Sequence, residues 1–187
     1  PSFSTAPTGT FSNTVNENTL NIISGNPTGT VDGIVLQGTT ASTTSSLTVD
    51  ANLFNGLGHS VASTGVMFFI QQLSPAQTVS VSTNSFNSLN CITSGSVTFI
   101  STNYTMPAAG VQTVNNNQLV GNFVKSTAGG TLTVYSTNGS SPAGSNHTST
   151  GNDFSGIGVT GATTLTGWSN TDGGSVTKTI TNNTFSS

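Results

Sequence analysis

A six-residue pattern that recurs six times constrains the fold of this chain more than any other feature. An apolar residue is followed by two spacers, an asparagine, one spacer and a large apolar residue, and only Ser149 departs from the apolar first position. The asparagines are 34, 32, 33, 35 and 31 residues apart, a near-constant period. Such a period is typical of solenoids, propellers and arrays, in which each unit buries its apolar face against its neighbours. We therefore expect residues 1–187 to form one repeat domain.

Two sets of equivalent positions follow from this pattern. The asparagines are Asn18, Asn52, Asn84, Asn117, Asn152 and Asn183, and the large apolar residues are Leu20, Phe54, Phe86, Leu119, Phe154 and Phe185. If equivalent positions stack in register, the apolar side chains form a core stack and the amides form a hydrogen-bonded ladder. A ladder pairs every buried amide except those at its two ends. The sequence therefore favours a structural role for the asparagines over a role in binding a ligand.

The segments around each asparagine have the composition of β-strands. They are short, β-branched or aromatic, and bounded by Gly, Ser and Asn, and no ten-residue stretch shows helical periodicity. A second strand with an apolar-x-apolar-apolar pattern follows, most clearly at residues 67–70, 97–100 and 132–135. Two or three short strands per coil without helices predict an all-β parallel β-helix of about six coils, with a period of about 33 residues.

Two copies of the pattern carry a resemblance to a known fold family. The segments Ile180-Thr-Asn-Asn-Thr-Phe185 and Gly151-Asn-Asp-Phe-Ser-Gly-Ile157 resemble the right-handed parallel β-helix repeat of the pectate-lyase-like superfamily, and the resemblance spans residues 11–187. It implies a right-handed parallel β-helix of the kind found in large secreted or surface proteins. In that superfamily the motif is specific for the fold and says almost nothing about activity.

Relatives in that superfamily include polysaccharide lyases and hydrolases, so the acidic residues are the candidates for catalytic groups. A glycoside hydrolase needs two or three carboxylates at one cleft, and the supply here is Glu17, Asp32, Asp50, Asp153 and Asp172. The segment Asn170-Thr-Asp172-Gly173 is similar to the first catalytic motif of polygalacturonases. The paired aspartates, Gly-His-Gly and Arg-x-Lys that follow it in that family are missing here. We therefore expect no enzymatic activity and no catalytic residue.

The histidines and the cysteine suggest no site either. His59 and His147 are 88 residues apart, and we expect no carboxylate cluster beside either of them. Cys91 lies seven residues after its asparagine, where other coils have Gly25, His59, Val124 and Val159, so we expect a small apolar wall residue. Zinc and calcium motifs are missing, and we expect neither a metal nor a cofactor.

Length variation concentrates in the connections that leave the second strand, at residues 37–46, 71–78, 102–110, 137–147 and 169–175. In solenoids such insertions map to one flank, which is often where partners bind. Drift in unselected surface loops explains the variation equally well. If the flank does bind a partner, the candidate residues are Gln71, Gln72, Asn103, Tyr104, Asn138 and Asn146.

Composition narrows the class of function. Only 4% of residues are charged, there is no arginine and the only lysines are Lys125 and Lys178, so we expect no nucleic-acid binding. The chain has no apolar run of about 18 residues, so we expect no membrane insertion. These features favour a non-enzymatic structural or adhesive segment of an extracellular or cell-surface protein. Its expected partners are further solenoid repeats or other copies stacked end to end into fibres, with glycans or cell-surface ligands as further candidates.

Several alternatives stay open. A carbohydrate-binding or phage-fibre-type module would recognise glycans with the variable flank. An ice-binding protein would need a regular threonine array, and the outward positions of the second strands supply Thr98, Thr133 and Thr166. Phe68 and Asp32 interrupt that column, so ice binding ranks lower, together with polysaccharide degradation.

Overall fold

The chain folds into an all-β solenoid. The computed structural model describes residues 2–3 (backbone only), 10–38, 44–87, 89, 91–174 and 177–186. Within these residues the chain forms 24 β-strands and no helix. Three long sheets, which we call sheets A, B and C, each contain six strands. Every strand pairing in them is parallel, which confirms the predicted fold class.

Strands are numbered β1 to β24 in chain order, and each long sheet takes one strand from every coil. Sheet A contains Ser2–Phe3 (β1), Val31–Leu36 (β5), Met67–Gln72 (β9), Val97–Asn103 (β12), Thr131–Asn138 (β16) and Thr164–Asn170 (β21). Sheet B contains Ser12–Asn16 (β2), Ser46–Asp50 (β6), Thr78–Ser82 (β10), Val111–Asn115 (β13), Asn146–Thr150 (β18) and Thr177–Thr181 (β23). Sheet C contains Thr19–Leu20 (β3), Leu53–Asn55 (β7), Ser85–Asn87 (β11), Gln118–Val120 (β14), Asp153–Phe154 (β19) and Thr184–Phe185 (β24).

Three short parallel pairs fill the connections between the long sheets. They are Ile23–Ser24 (β4) with Gly58–His59 (β8), Phe123–Lys125 (β15) with Ile157–Val159 (β20), and Ser140–Ser141 (β17) with Gly173–Gly174 (β22).

Equivalent residues of successive coils lie directly beside one another. In sheet B, for example, Val81 pairs with Val49 on one side and with Val114 on the other. The solenoid makes about five turns with a period of about 33 residues. The predicted count of about six coils corresponds to the six strands of each long sheet, which enclose about five turns of chain.

The interior is a continuous apolar column. Alternate residues of each strand point inward, so that sheet B buries Val15, Val49, Val81 and Val114. Phenylalanine rings fill the centre: Phe54 stacks on Phe86 with ring centroids 4.9 Å apart, and Phe86 meets Phe99 edge-on at 5.2 Å. Such ring pairs contribute about 0.5–1.5 kcal/mol each beyond the area that they bury.

The corner between sheets B and C has the same backbone conformation in every coil. The residue immediately before each repeated asparagine has a positive φ: Glu17 (56°), Ala51 (55°), Thr83 (56°), Asn116 (54°), Gly151 (68°) and Asn182 (54°). This left-handed conformation costs an L-residue about 1–2 kcal/mol. Five of the six positions are not glycine. The backbone N–H of the corner residue donates to a carbonyl of the next coil, as from Ala51 to Ser82 at 3.0 Å, and this bond helps to hold the corner.

Candidate functional site

The six repeated asparagines form a hydrogen-bonded ladder along the solenoid. Each Nδ2 donates to the Oδ1 of the next asparagine, at 3.0, 3.0, 2.9, 2.9 and 2.7 Å from Asn18 to Asn183. The backbone N–H of each asparagine donates to the same Oδ1, at 3.0–3.1 Å. The predicted side-chain hydrogen bonds between coils are present.

The ladder also reaches back to the preceding coil. Asn117 Nδ2 donates to the carbonyl of Val81 at 2.9 Å, and Asn84 Nδ2 donates to that of Val49 at 2.8 Å. One middle asparagine therefore connects three successive coils. The four middle asparagines are buried, where an amide without a hydrogen bond is costly. The ladder thus accounts for the asparagine at this position of the repeat.

The residues predicted to form a core stack differ in burial. Phe54, Phe86 and Phe154 are fully buried, whereas Leu20 and Leu119 are only partly buried against the core. The rings of Phe86 and Phe154 lie 5.6 Å apart although Leu119 separates them in the coil order. Phe154 therefore fills interior space beside Leu119. Phe185, in the last described coil, remains exposed.

The predicted binding flank is only partly at the surface. Asn103, Asn138 and Asn146 are exposed and Gln71 is half-buried. Gln72 and Tyr104 are buried, and Gln72 Nε2 donates to the carbonyl of Ser74 at 2.6 Å. Both buried residues follow or end a strand of sheet A, where the chain turns inward. Only the other four candidates are placed where a partner could contact them.

A buried polar cluster joins the last coils. We expected no carboxylate cluster beside either histidine, and the structure places a single carboxylate, that of Asp172, beside His147. His147 Nδ1 lies 3.4 Å from Asp172 Oδ2, and Lys178 Nζ lies 3.2 Å from the same oxygen. On its other side, His147 Nε2 is 3.4 Å from Ser141 Oγ. Burial lowers the pKa of His147; Asp172 opposes this shift, and Lys178 adds to it.

The order Ser141, His147, Asp172 is that of a nucleophile, a base and a carboxylate that orients the base. Ser141 and His147 are only 2% and 7% exposed, so a substrate has no direct access to them. Lys178 Nζ also donates to Asn170 Oδ1 at 2.6 Å, which connects the cluster to sheet A. The arrangement therefore serves as an internal polar clamp between sheets A and B.

A second buried polar site surrounds Lys125. Its Nζ donates to the carbonyls of Thr93, Thr127 and Gly129 at 2.6, 2.7 and 2.7 Å, and the whole residue is shielded from solvent. Burial lowers the pKa of this amine. Three carbonyl oxygens offset part of the cost of burying a cation. Lys125 is thus a structural cross-link between two coils.

Cys91 pairs in register with Lys125, whereas the sequence spacing had aligned it with Val124. The difference arises because the coil after Asn117 is one residue longer at Phe123. Cys91 is buried as expected for a wall residue, and burial raises the pKa of its thiol to about 12. A thiol that is neutral and shielded from solvent is a poor nucleophile.

The carboxylate of Asp50 is held by hydrogen bonds from the neighbouring strand of sheet B. Asp50 accepts hydrogen bonds from Ser80 Oγ at 3.0 Å and from the Ser82 backbone N–H at 2.8 Å. Burial raises the pKa of Asp32. The described residues contain no cluster of three or more His, Cys, Asp and Glu side chains that could hold a metal ion. The same part of the chain has no helix with the length and hydropathy of a membrane span.

Sequence reasoning missed both polar sites, because the residues of each site come from different coils. Ser141, His147, Asp172 and Lys178 come from three different strands and one connection, and no local spacing links them. One signal was available: His147 and Lys178 occupy equivalent positions of the repeat, two residues before Ser149 and Ile180 respectively. Comparison with protein-family models, with curated proteins and with solved structures found no match to this chain.

Proposed function

We propose that this chain is a non-enzymatic structural or adhesive segment of an extracellular or cell-surface β-solenoid protein. Its coils would continue by end-to-end contact, either with further solenoid repeats or with another copy, as in a fibre. We also infer that it belongs to the right-handed parallel β-helix repeat superfamily, which is consistent with three parallel sheets and a constant corner before each asparagine.

The observation that carries the proposal is the direction of the asparagine ladder. Every rung donates from Nδ2 and from its backbone N–H to the Oδ1 of the rung that follows. Within the described residues, Asn18 Oδ1 accepts no bond from an earlier rung, and the Asn183 backbone N–H donates to no later rung. The two ends are therefore complementary, since one offers an acceptor and the other a donor.

Apolar exposure at the last described coil supports the same contact. Leu165 is 38% exposed and Phe185 is 36% exposed, whereas their equivalents Leu132 and Phe86 in the middle of the solenoid are both 0% exposed. Another coil stacked on this end would bury both side chains. Burial of apolar area contributes about 25 cal/mol per Å².

Sedimentation velocity and negative-stain microscopy across a concentration series test the end contact. We expect rods that lengthen as the concentration rises, and we expect Leu165→Glu to prevent lengthening. Thr98→Glu, at an outward position of sheet A, is the matched control and should lengthen like the parent chain. Compact monomers at every concentration would refute end-to-end stacking of copies.

Glycan recognition by the variable flank is the second candidate function. Asn103 and Asn138 are both exposed and pair in register on neighbouring strands, so their amides form a short outward column. Adjacent amides offer donors and acceptors of the kind that bind sugar hydroxyls. A glycan array tests this: binding that is lost in Asn103→Ala and Asn138→Ala, but kept in Thr98→Ala, would support it, and no binding by the parent chain would exclude it.

A further inference from the structure

The outer face of sheet B carries an unbroken column of hydroxyl groups. Its middle outward positions pair in register from coil to coil and are Thr14, Thr48, Ser80, Thr113, Thr148 and Thr179. All six are solvent-accessible. Each immediately precedes the first position of the repeated asparagine pattern, so this column is as regular as the ladder itself.

The other two sheets show that a serine- and threonine-rich composition does not by itself produce such a column. The equivalent outward positions of sheet A are Asp32, Phe68, Thr98, Thr133 and Thr166. Those of sheet C are Thr19, Leu53, Ser85, Gln118, Asp153 and Thr184. Sheet B, unlike sheet A, therefore carries an uninterrupted hydroxyl column, with threonine at five of its six positions and Ser80 at the sixth.

Two further columns flank the central one and make a two-dimensional array. One contains Ser12, Ser46, Thr78, Val111, Asn146 and Thr177, and the other contains Asn16, Asp50, Ser82, Asn115, Thr150 and Thr181. Stacked strands lie about 4.8 Å apart and alternate residues of a strand about 6.6 Å apart. Three columns over six strands therefore cover about 24 Å by about 13 Å.

The array is nearly uncharged. Asp50 is the one ionisable side chain among these outward positions, and hydrogen bonds from Ser80 and Ser82 satisfy its carboxylate. Both lysines lie on the inner side: Lys125 is buried and Lys178 pairs in register with His147. A face without cations does not select an acidic polymer, because nothing on it would neutralise the charges of that polymer.

The chemistry of the face fits a rigid ligand with its own repeat. Threonine is stiff at χ1, so little side-chain entropy is lost when its hydroxyl is fixed. Each hydroxyl contact is worth only about 0.5–1.5 kcal/mol net, so affinity requires that many form at once. This happens only if the ligand presents donors and acceptors on a lattice of similar dimensions. Ice is such a ligand, because its surface is a rigid and regular lattice of hydrogen-bond donors and acceptors.

We propose that the outer face of sheet B binds the surface of ice. The hydroxyls of the central column would take the places of lattice water molecules, and the threonine methyls would lie between them. The buried ladder and phenylalanine stack would keep the columns in register. This activity requires no catalytic group and is independent of contacts at the ends of the solenoid.

Thermal hysteresis and inhibition of ice recrystallisation test the proposal directly. We expect the parent chain to shape ice crystals and to depress their growth temperature. Thr113→Tyr and Thr148→Tyr should abolish both effects, because a large ring in the central column holds the lattice away from the remaining hydroxyls. Thr133→Tyr places the same ring on the outer face of sheet A and should retain full activity.

Circular dichroism melting of all four proteins separates loss of the face from loss of the fold. The proposal is overturned if the parent chain neither shapes ice nor slows recrystallisation, or if Thr133→Tyr is as damaging as Thr113→Tyr at equal melting temperature. Co-sedimentation with crystalline cellulose or chitin is the parallel assay. Binding there without any effect on ice would assign the face to a crystalline polysaccharide and would also overturn the proposal.

Discussion

Replacement of Asn117 by leucine removes one middle rung of the ladder and gives the sharpest test of what holds the coils together. Asn117 Nδ2 donates to Val81 O and to Asn152 Oδ1, both at 2.9 Å. Its Oδ1 accepts the Nδ2 of Asn84 at 2.9 Å and the backbone N–H of Asn84 at 3.1 Å. Leucine has a similar size and can make none of these four bonds.

The expected cost follows from the groups that are left without a partner. Asn84 Nδ2 keeps its bond to Val49 O, and Asn152 Oδ1 keeps the backbone N–H of Asn117. The backbone N–H of Asn84 loses its acceptor, and the carbonyl of Val81 loses the bond from Asn117 Nδ2. Each buried polar group without a partner costs about 1–3 kcal/mol, so we expect Asn117→Leu to lower the free energy of unfolding by about 2–6 kcal/mol. For a chain of this size this corresponds to a fall in Tm of about 4–24 °C.

Calorimetry of three variants provides the test. Asn18→Leu removes a rung whose Oδ1 accepts no bond from an earlier rung, and Asn52 Oδ1 would keep the bond from backbone N–H 18, so its loss should stay below about 1 kcal/mol. Thr98→Ala, an outward change, should lie within about 0.5 kcal/mol of the parent. Equal melting temperatures for the Asn117 and Thr98 variants would refute the structural role of the ladder.

Other predictions concern the buried polar sites and the corner. Burial lowers the pKa of His147 in the folded state, so the unfolded chain takes up the proton first as pH falls below about 6.5, and the free energy of unfolding should decrease below that pH. Urea unfolding from pH 7 to pH 5 should show a smaller decrease in His147→Gln than in the parent chain. An identical decrease in both proteins would contradict the assignment. Lys125→Met removes the Nζ donor from three carbonyl oxygens and should lower the free energy of unfolding by about 2–4 kcal/mol. An unchanged midpoint of urea unfolding would show that this cross-link contributes nothing to stability. The Cys91 thiol, with its pKa raised to about 12, should react with a thiol reagent only after urea is added, and rapid labelling of the native protein would show that the coil opens there. Gly151→Ala places a Cβ 2.5 Å from Asn116 Oδ1 at a positive φ, and calorimetry should show a free energy of unfolding lower by at least about 1 kcal/mol. The control is Gly144→Ala, which has a positive φ but no atom within 4 Å of the added Cβ, and so measures the strain of the positive φ alone.

The repeating part of the structure could be predicted from the sequence because each repeat carries the same physical requirement. A buried amide at Asn84 or Asn117 needs a partner at the same height in the next coil, and a constant period supplies it. The strands around Val81 and Phe86 follow from the same register. The six copies of the pattern mark the six strands of a sheet, and six strands enclose about five turns.

The non-repeating interior could not be predicted in the same way. His147 lies on β18, and the connection after β21 brings Asp172 beside it, so no repeated spacing links the two residues. Gln72 and Tyr104 were expected on the variable flank because they lie in connections that leave the second strand, yet both are buried. The hydroxyl column of sheet B is visible in the sequence, since a serine or threonine stands one residue before the first position of every copy of the asparagine pattern.

The register of stacked coils underlies the ladder, the core and the face of sheet B, and engineered disulfides measure it directly. In a Cys91→Ser background, Ser80→Cys with Thr113→Cys places two thiols on directly paired strands, whereas Ser80→Cys with Thr148→Cys separates them by two coils. Disulfides require Cα atoms about 4.4–6.8 Å apart, and neighbouring strands lie about 4.8 Å apart. We expect the first pair to oxidise to an intramolecular disulfide and the second pair to stay reduced. Failure of the first pair, or equal oxidation of both, would contradict in-register stacking and with it the account as a whole.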